Sequence, residues 1–252
     1  MSQFFVSPEN LSYDHFRITG DEARHLIRVL RKQPNDRVVV FDGQGRRAEG
    51  VIATVEESPL AVAGRVTKNL STTESKPIRL RLFQGLPRGT KFDYVIEKAT
   101  ELGADEILPF FSEKNPIELT PAQSSTKIQR WRRVAEAAAK QCSRDSLPDI
   151  SPVLAFSELK TNLQGFSIML WEKGTKPFRE VLQTLTEPSK GRSSHGALNI
   201  IVGSESGFSP AEITHLIEQG VQPVSLGRRI LRTETAGLAA LAIVNYELEA
   251  IL

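Results

Sequence analysis

The spacing of apolar residues changes character twice along the chain. Over residues 19–32, Ala23, Leu26, Ile27 and Leu30 recur at helical spacing, and Thr19 with Glu22 has the form of a capping box, which predicts a helix with one buried face. From Asp36 the period shortens to two. DRVVVF, the turn DGQG, EGVIATVEE and LAVAGRV alternate apolar and polar positions as the strands of a small barrel or meander do. Past Pro77, strand and helix patterns alternate. IRLRLFQG, EILPFF and FSIMLW read as strands, and residues 90–102 as a helix that buries Phe92, Val95, Ile96, Ala99 and Leu102 and stops at Gly103. Residues 121–141 predict a long helix with Ile128, Trp131, Ala135 and Ala138 inward and Lys127, Arg130, Arg132, Arg133 and Lys140 outward, and residues 177–185 a further helix. Such alternation predicts an α/β fold with a mainly parallel sheet covered on both faces.

Between these two regimes lies TKNLSTTESK, polar and rich in Ser and Thr, which reads as a linker. It divides the chain into a β-rich domain over residues 1–72 and an α/β domain over residues 73–252. The first shows no catalytic constellation, so binding is its expected role.

Bulk composition adds less. The 252 residues suffice for one large or two smaller domains, and the net charge of +2 does not announce a partner. Basic residues nevertheless cluster: Arg24, Arg28 and Arg31 fall at i, i+4 and i+7 with Lys32 beside them. A solvated helix face explains that stripe as well as a polyanion does. A single cysteine, Cys142, excludes an internal disulfide and a cysteine-rich zinc site, and His15, His25, His195 and His215 lack metal-ligand spacing, so no metal is expected. No apolar run reaches the length of a membrane span, and MSQFFVSPEN lacks the regions of a signal peptide, so the expected location is cytoplasmic. The GxGxxG fingerprint, the GxxxxGK[ST] phosphate loop and the GxSxG elbow are absent.

The chemistry concentrates in residues 199–246. NIIVGSESGFSP and QPVSLGRRILRTETAGLAALAIVNY each read as a strand, a glycine turn and a helix, which places two glycine turns at the carboxyl ends of two strands. In an open parallel sheet ligands bind there. The second turn joins Leu226 and Gly227 to Arg228, Arg229, Ile230, Leu231 and Arg232, combining bare backbone, apolar side chains and strong cations. Each glycine alone is an ordinary turn. Two such turns around ILRTETAG point to a site for a small, apolar-faced cofactor beside a polyanion.

HLIRVLRKQPNDRVVVFDG, LPRGTKFDYVIEKATELGADEILPFFSEKN, RWRRVAEAAAKQCSRDSLPDI, IIVGSESGFSPAEI and VSLGRRILRTETAGLAAL follow one another in an order and spacing that resembles the RsmE family, with LGxRILRTETA the most specific of them. That family methylates N3 of a uridine in bacterial 16S ribosomal RNA. The resemblance implies a C-terminal SPOUT-type domain whose parallel sheet carries a trefoil knot, an N-terminal PUA-like β-barrel that grips RNA, and a homodimer. It implies S-adenosyl-L-methionine as cofactor and small-subunit ribosomal RNA, naked or in an assembled particle, as partner, with no metal. Carried over by motif, the cofactor set is Leu170, Glu172, Gly203, Glu205, Gly207, Leu226, Gly227, Ile230, Leu231 and Arg232, and the RNA set is Arg24, Arg28, Arg31, Lys32, Arg88 and Lys91. Methylation at N3 requires loss of a proton, so a cation that stabilises the uridine anion or a base is needed. Arg232 is the first candidate cation and Arg144 the second; Glu205 and Glu234 are possible bases, although stabilising the start of the last helix is the commoner role for a glutamate placed as Glu234 is. Where the family usually has GPEGGF this chain has GSESGF, and Asn35 replaces a usual glycine. Ser206 is tolerated if its φ stays negative, and asparagine suits a left-handed turn. A methyltransferase acting on another RNA and a non-catalytic RNA-binding assembly factor are the two other readings of these motifs.

Overall fold

The structure, a computed structural model, describes residues 3–71, 78–114, 119–174, 176–186 and 196–249. The chain forms two compact units, Met1–Ser75 with Glu136–Leu147 and Lys76–Ala135 with Pro148–Leu252. The boundary expected between residues 72 and 73 lies outside the described residues, as does His195.

In the first unit, strands β1 (Gln3–Phe5), β2 (His15–Thr19), β3 (Arg37–Phe41), β4 (Arg47–Glu57) and β5 (Leu60–Asn69) form a sheet of order β1-β3-β4-β5-β2. β1 runs parallel to β3 and the other pairs are antiparallel. Phe4, Phe16, Ile18, Leu26, Val38, Val40, Ile52 and Val62 make the core. Phe16 lies flat over Gly50 and Gly64, where a Cβ would fall within 2.5 and 2.2 Å of its ring, so both positions need a bare backbone. β2 and the first half of β4 alternate in burial as a period of two predicts, whereas β3 is buried throughout from Val38 to Phe41 and β1 is too short to show a pattern.

The helix expected over residues 19–32 is shorter. α1 spans Gly20–Arg24 and widens into a π-helical turn, His25–Val29. Leu30 N donates to His25 O at 3.0 Å and Lys32 N to Leu26 O at 3.1 Å, closing the end around Arg31 at φ 53°. Ala23 and Leu26 are buried as their spacing predicts, but Leu30 is exposed. The capping box does not form: Thr19 makes no side-chain cap. Glu22 instead accepts hydrogen bonds from Phe5 N at 3.3 Å and Lys140 Nζ at 2.6 Å, so a tertiary partner takes the carboxylate that local pattern assigned to the cap. Lys140, expected to face outward, is half-buried in that pair. Burial opposes its charge, but the hydrogen bond to Glu22 and the nearby charges of Glu22 and Glu136 outweigh it and raise its pKa.

The second unit carries an eight-stranded, wholly parallel sheet. Its strands are β6 (Arg79–Gly85), β7 (Glu106–Phe111), β8 (Asp149–Ile150), β9 (Leu154–Ala155), β10 (Phe166–Leu170), β11 (Lys176–Pro177), β12 (Ala197–Val202) and β13 (Gln222–Ser225). The order is β11-β13-β10-β12-β6-β7-β8, with β9 also on β7. The helices are α2 (Lys91–Glu101), α3 (Pro121–Cys142, of which the stretch from Glu136 belongs to the first unit), α4 (Leu159–Asn162), α5 (Phe178–Thr186), α6 (Pro210–Glu218) and α7 (Thr233–Glu249). Successive strand residues part into two apolar layers. Leu82 and Ile200 join Ile96, Trp131 and Leu241 on one face, while Phe83 and Ile201 join Phe110, Met169 and Leu216 on the other. A sheet buried on both faces is why its strands read as continuous apolar runs. On α3, Trp131, Ala135 and Ala138 are buried and Ile128 half-buried, with Trp131 edge-on to Phe92 at 4.5 Å between ring centres.

Toward the amino ends of the strands the sheet is sealed by a polar cluster. Arg81, 3% exposed, donates to Glu106 Oε2 at 2.7 Å, Asn199 Oδ1 at 2.9 Å and Asn162 O at 2.6 Å, and Asn199 Nδ2 donates to Ser167 Oγ at 2.8 Å. A buried guanidinium so surrounded is tolerated because its donors are matched. The carboxyl ends are left open for a site. Among the described residues no helix is long and apolar enough to cross a membrane.

Candidate cofactor and active site

At those carboxyl ends lies a cavity of about 750 Å³. Three chain reversals build its walls: residues 170–172 after β10, 202–208 after β12 and 225–232 after β13. Arg88 from the β6–α2 connection, Lys91 at the start of α2, and Thr233, Glu234 and Ala236 from the start of α7 complete it.

The turn after β12 is fixed from several sides. Gly207 N donates to Ser204 O at 2.9 Å, and Gly207 takes the left-handed conformation at φ 64°. Ser206 keeps a φ outside that region, so the serine in place of the family's glycine introduces no backbone strain. Asn35 sits at φ 75°, the conformation that its replacement of glycine leads one to expect. Ser204 is buried with its hydroxyl 3.3 Å from that of Ser112. Gly85, at the end of β6, presses against this turn so closely that a Cβ would lie 2.4 Å from Ser204 N. Thr233 Oγ1 donates to Gly203 O at 2.5 Å and accepts from Gln84 Nε2 at 2.7 Å, joining β6, the turn and α7 through one hydroxyl. Glu205, at the tip, accepts Arg88 N at 3.1 Å and pairs with Lys91 Nζ. The hydrogen bond from Lys91 chiefly holds its carboxyl below the usual carboxylate range.

The turn after β13 has less support. Ser225 Oγ accepts from Gly227 N and donates to Gly227 O, both at 3.2 Å, and Gly227 has φ 113°. Arg232 O accepts Thr235 N and Ala236 N at 2.9 Å each, which starts α7. Between these anchors Arg228, Arg229 and Ile230 are exposed, Ile230 by 82%. Arg232 is exposed with its side chain at the cavity. Beside it, Glu234 Oε2 is buried with no hydrogen-bond partner among the described residues. A buried, unmatched carboxylate oxygen at a cavity wall is the feature a bound polar ligand would satisfy.

Leu170, Glu172, Gly203, Glu205, Gly207, Leu226, Gly227, Ile230, Leu231 and Arg232 all line this one cavity, although the sequence separates them by up to sixty-odd positions. Arg88 and Lys91 stand at its rim, Lys91 engaged by Glu205. Arg144 is not among the lining residues; it belongs to the first unit, where its Nε donates to Ser146 Oγ at 3.1 Å. Arg24, Arg28, Arg31 and Lys32 also belong to the first unit: Arg24 pairs with Asp21 at 2.7 Å, Arg28 and Arg31 are exposed, and Lys32 is half-buried. Of the supporting residues, Gln84 and Gly85 carry no signal in the sequence beyond a polar residue and a glycine ending a strand, and Thr233 none beyond its place in LGxRILRTETA. Trp171 and Arg229 also line the cavity, although the motifs that contain them place neither in the cofactor set. Among the described residues no group of three His, Cys, Asp or Glu side chains could hold a metal.

The lining fits a nucleoside with a charged amino-acid tail. Leu170, Val202, Ile230 and Leu231 offer apolar cover, the glycines offer bare backbone, and Glu172, Glu205 and Glu234 offer acceptors.

A family model described as an RNA methyltransferase domain matches residues 74–245, and one described as an RNA methyltransferase PUA domain matches residues 18–62. The ribosomal RNA small subunit methyltransferase E of Bacillus subtilis is 31% identical over 241 residues, covering 93% of this chain and 91% of that protein. The chain belongs to the RsmE family. The Synechocystis protein of the same name is 31% identical over 244 residues, covering 97% of this chain and 77% of its own length. Among solved structures, the RsmE of Neisseria gonorrhoeae bound to S-adenosyl methionine is similar with a TM-score of 0.82 at 27% identity, covering 98% of this chain and 97% of that one. The α/β architecture with a parallel sheet and a PUA-like unit is thus the architecture of RsmE relatives.

Proposed function

We propose that this chain is an S-adenosyl-L-methionine-dependent methyltransferase that methylates N3 of a uridine in 16S ribosomal RNA. The observation that carries this is the convergence of the cofactor set on one cavity at the carboxyl ends of a parallel sheet, in a chain of the RsmE family. S-adenosyl-L-methionine, when bound, supplies a methyl group on a positively charged sulfur, with no metal required. Gly203, Gly207 and Gly227 would bring the backbone within reach of it, Ile230 and Leu231 would cover its apolar face, and Glu172 would accept from its polar end. The Arg232 guanidinium, exposed at the cavity, stabilises the anion that forms when uracil N3 loses its proton. Glu205 is a poor base because Lys91 holds it ionised and engaged. Glu234, with a free oxygen at the cavity wall, is the better placed acceptor for that proton. Arg144, which lines no part of the cavity, stands second as the cation.

We read the C-terminal segment as a trefoil knot, supported by α7, which follows β13 near one end of the sheet yet packs on β6 and β12 at its middle. A homodimer is supported by the outer face of α7, where Ile243 is 40% and Tyr246 73% exposed on a helix that is apolar almost all round. The division of labour is catalysis in the second unit and RNA binding, through Arg24, Arg28, Arg31 and Lys32, in the first, acting in the cytoplasm on RNA that is naked or already in a ribosomal particle.

Nucleoside mass spectrometry of small-subunit ribosomal RNA from cells with and without the gene tests the reading. N3-methyluridine disappears in the deletion and returns on addition of purified protein and labelled cofactor. Its persistence in the deletion strain, with no second enzyme to account for it, contradicts the assignment.

A further inference from the structure

Tyr13 is the most exposed large apolar residue among the described residues, at 87%. An exposed tyrosine on a loose loop would mean little, but this one is mounted on both sides. It sits at the tip of a turn in which Ser12 N donates to His15 O at 2.8 Å and His15 N donates to Ser12 Oγ at 2.9 Å. Leu11, 3% exposed, anchors the turn in the core of the first unit. From the β3–β4 connection, Arg46 Nη1 donates to Leu11 O at 2.7 Å, and its guanidinium carbon lies 5.3 Å from the centre of the Tyr13 ring. Arg46 is itself pinned: its backbone N donates to Asp42 Oδ1 at 3.0 Å, and Asp42 is 2% exposed. Among the described residues no carboxylate forms an ion pair with Arg46, so its charge is open to an incoming anion.

A flat ring held at the tip of a fixed turn, with an uncompensated cation beside it, matches one unit of single-stranded nucleic acid: a base stacks on the ring and the adjoining phosphate meets the guanidinium. Beyond the turn the same chemistry continues, because His15 and Arg65 are cross-strand partners on β2 and β5 and both are exposed. We propose that Tyr13 and Arg46 form a stacking platform for an unpaired base of the RNA. This rests on the reading that the chain acts on RNA, and it adds a site outside the basic stripe of Arg24, Arg28 and Arg31. It assigns the platform to single strands, since a base inside a duplex offers no free face.

Fluorescence anisotropy with a labelled single-stranded oligouridine, and with an RNA duplex of equal length, tests it on the full chain. Tyr13→Ala weakens single-strand binding by about tenfold, in line with the loss of one aromatic–base stack, and leaves duplex binding and the melting temperature unchanged. Tyr13→Phe, which keeps the ring, binds within about twofold of the parent on the same grounds. Arg46→Met lowers the salt dependence of binding by about one phosphate's worth. The platform is overturned if Tyr13→Ala binds the oligouridine like the parent, if it weakens single strand and duplex alike, or if it alters sedimentation instead, which would mark a contact between protein copies. Formation of N3-methyluridine by the unaltered chain is scored separately, so failure of the platform leaves the methyltransferase reading standing, and failure of both is visible as such.

Discussion

The two glycine turns that wall the cavity differ in how they are held. The turn after β12 is locked by β6 through Gly85, by α7 through Thr233, by Lys91 through Glu205 and by Ser112 through Ser204. Among the described residues, the turn after β13 has only Ser225 at its start and the first turn of α7 at its end, with Ile230 standing almost free between them. One wall is finished before any ligand arrives, and the other carries the apolar and cationic side chains that have least to hold them. Binding energy from a ligand is therefore spent ordering residues 227–231, while the opposite wall supplies a fixed reference for the reacting atoms.

The largest expected effect comes from the loose wall. Arg232→Ala lowers turnover about 10²- to 10³-fold, the scale of losing one stabilising donor to a developing anion, while cofactor affinity by calorimetry changes only a few-fold. Unchanged turnover with cofactor bound removes Arg232 from the chemistry. Next is damage to the fixed wall. Gly85→Ala drives a Cβ into the backbone at Ser204, which has no flexible side chain to give way. A loss of about 1–3 kcal/mol in stability is expected, read by denaturant melts, together with weaker cofactor binding. Thr233→Val attacks the same wall by leaving the Gly203 carbonyl unmatched and Gln84 Nε2 with only its bond to Gly85 O, at about 1–3 kcal/mol, and Thr233→Ser restores it.

Smaller still is Ile230→Ala. A side chain 82% exposed contributes little to folding, so stability stays the same. Cofactor affinity falls by a few-fold, roughly the value of the apolar area it would cover. Equal losses of stability and affinity would mean that this wall is as firmly built as the other. The smallest effect is a pH dependence of the fixed wall. Glu205 has a depressed pKa when folded, so the Lys91 pair contributes fully above pH 4.5, its ordinary value, and that contribution is lost as pH falls through the lower folded value. The difference in melting temperature between the parent and Glu205→Gln is constant at neutral pH and shrinks only on the acid side.

Much of this was legible in the chain itself. The parallel sheet followed from the strand patterns that alternate with helix patterns past Pro77, because parallel neighbours need crossover connections between them. The glycine turns followed from their place after those strands. What local pattern missed was set by distant partners. Glu22 read as a capping residue until Lys140, 118 positions away, claimed it. The helix over residues 19–32 opened into a π turn, which apolar spacing at i, i+3 and i+4 does not distinguish from a regular helix. Gln84 and Thr233 meet only in the fold, and no spacing in a single sequence joins positions 149 apart. Arg144 matched a family motif, yet it lies outside the cavity lining.

Hydrogen exchange of the full chain with and without S-adenosyl-L-methionine tests the contrast between the walls most directly. The account predicts that amides of residues 226–231 exchange quickly in the free protein and gain protection on binding, while those of residues 203–207 are already slow and change little. Fast exchange in residues 203–207 that slows on binding, or no change in residues 226–231, would contradict it.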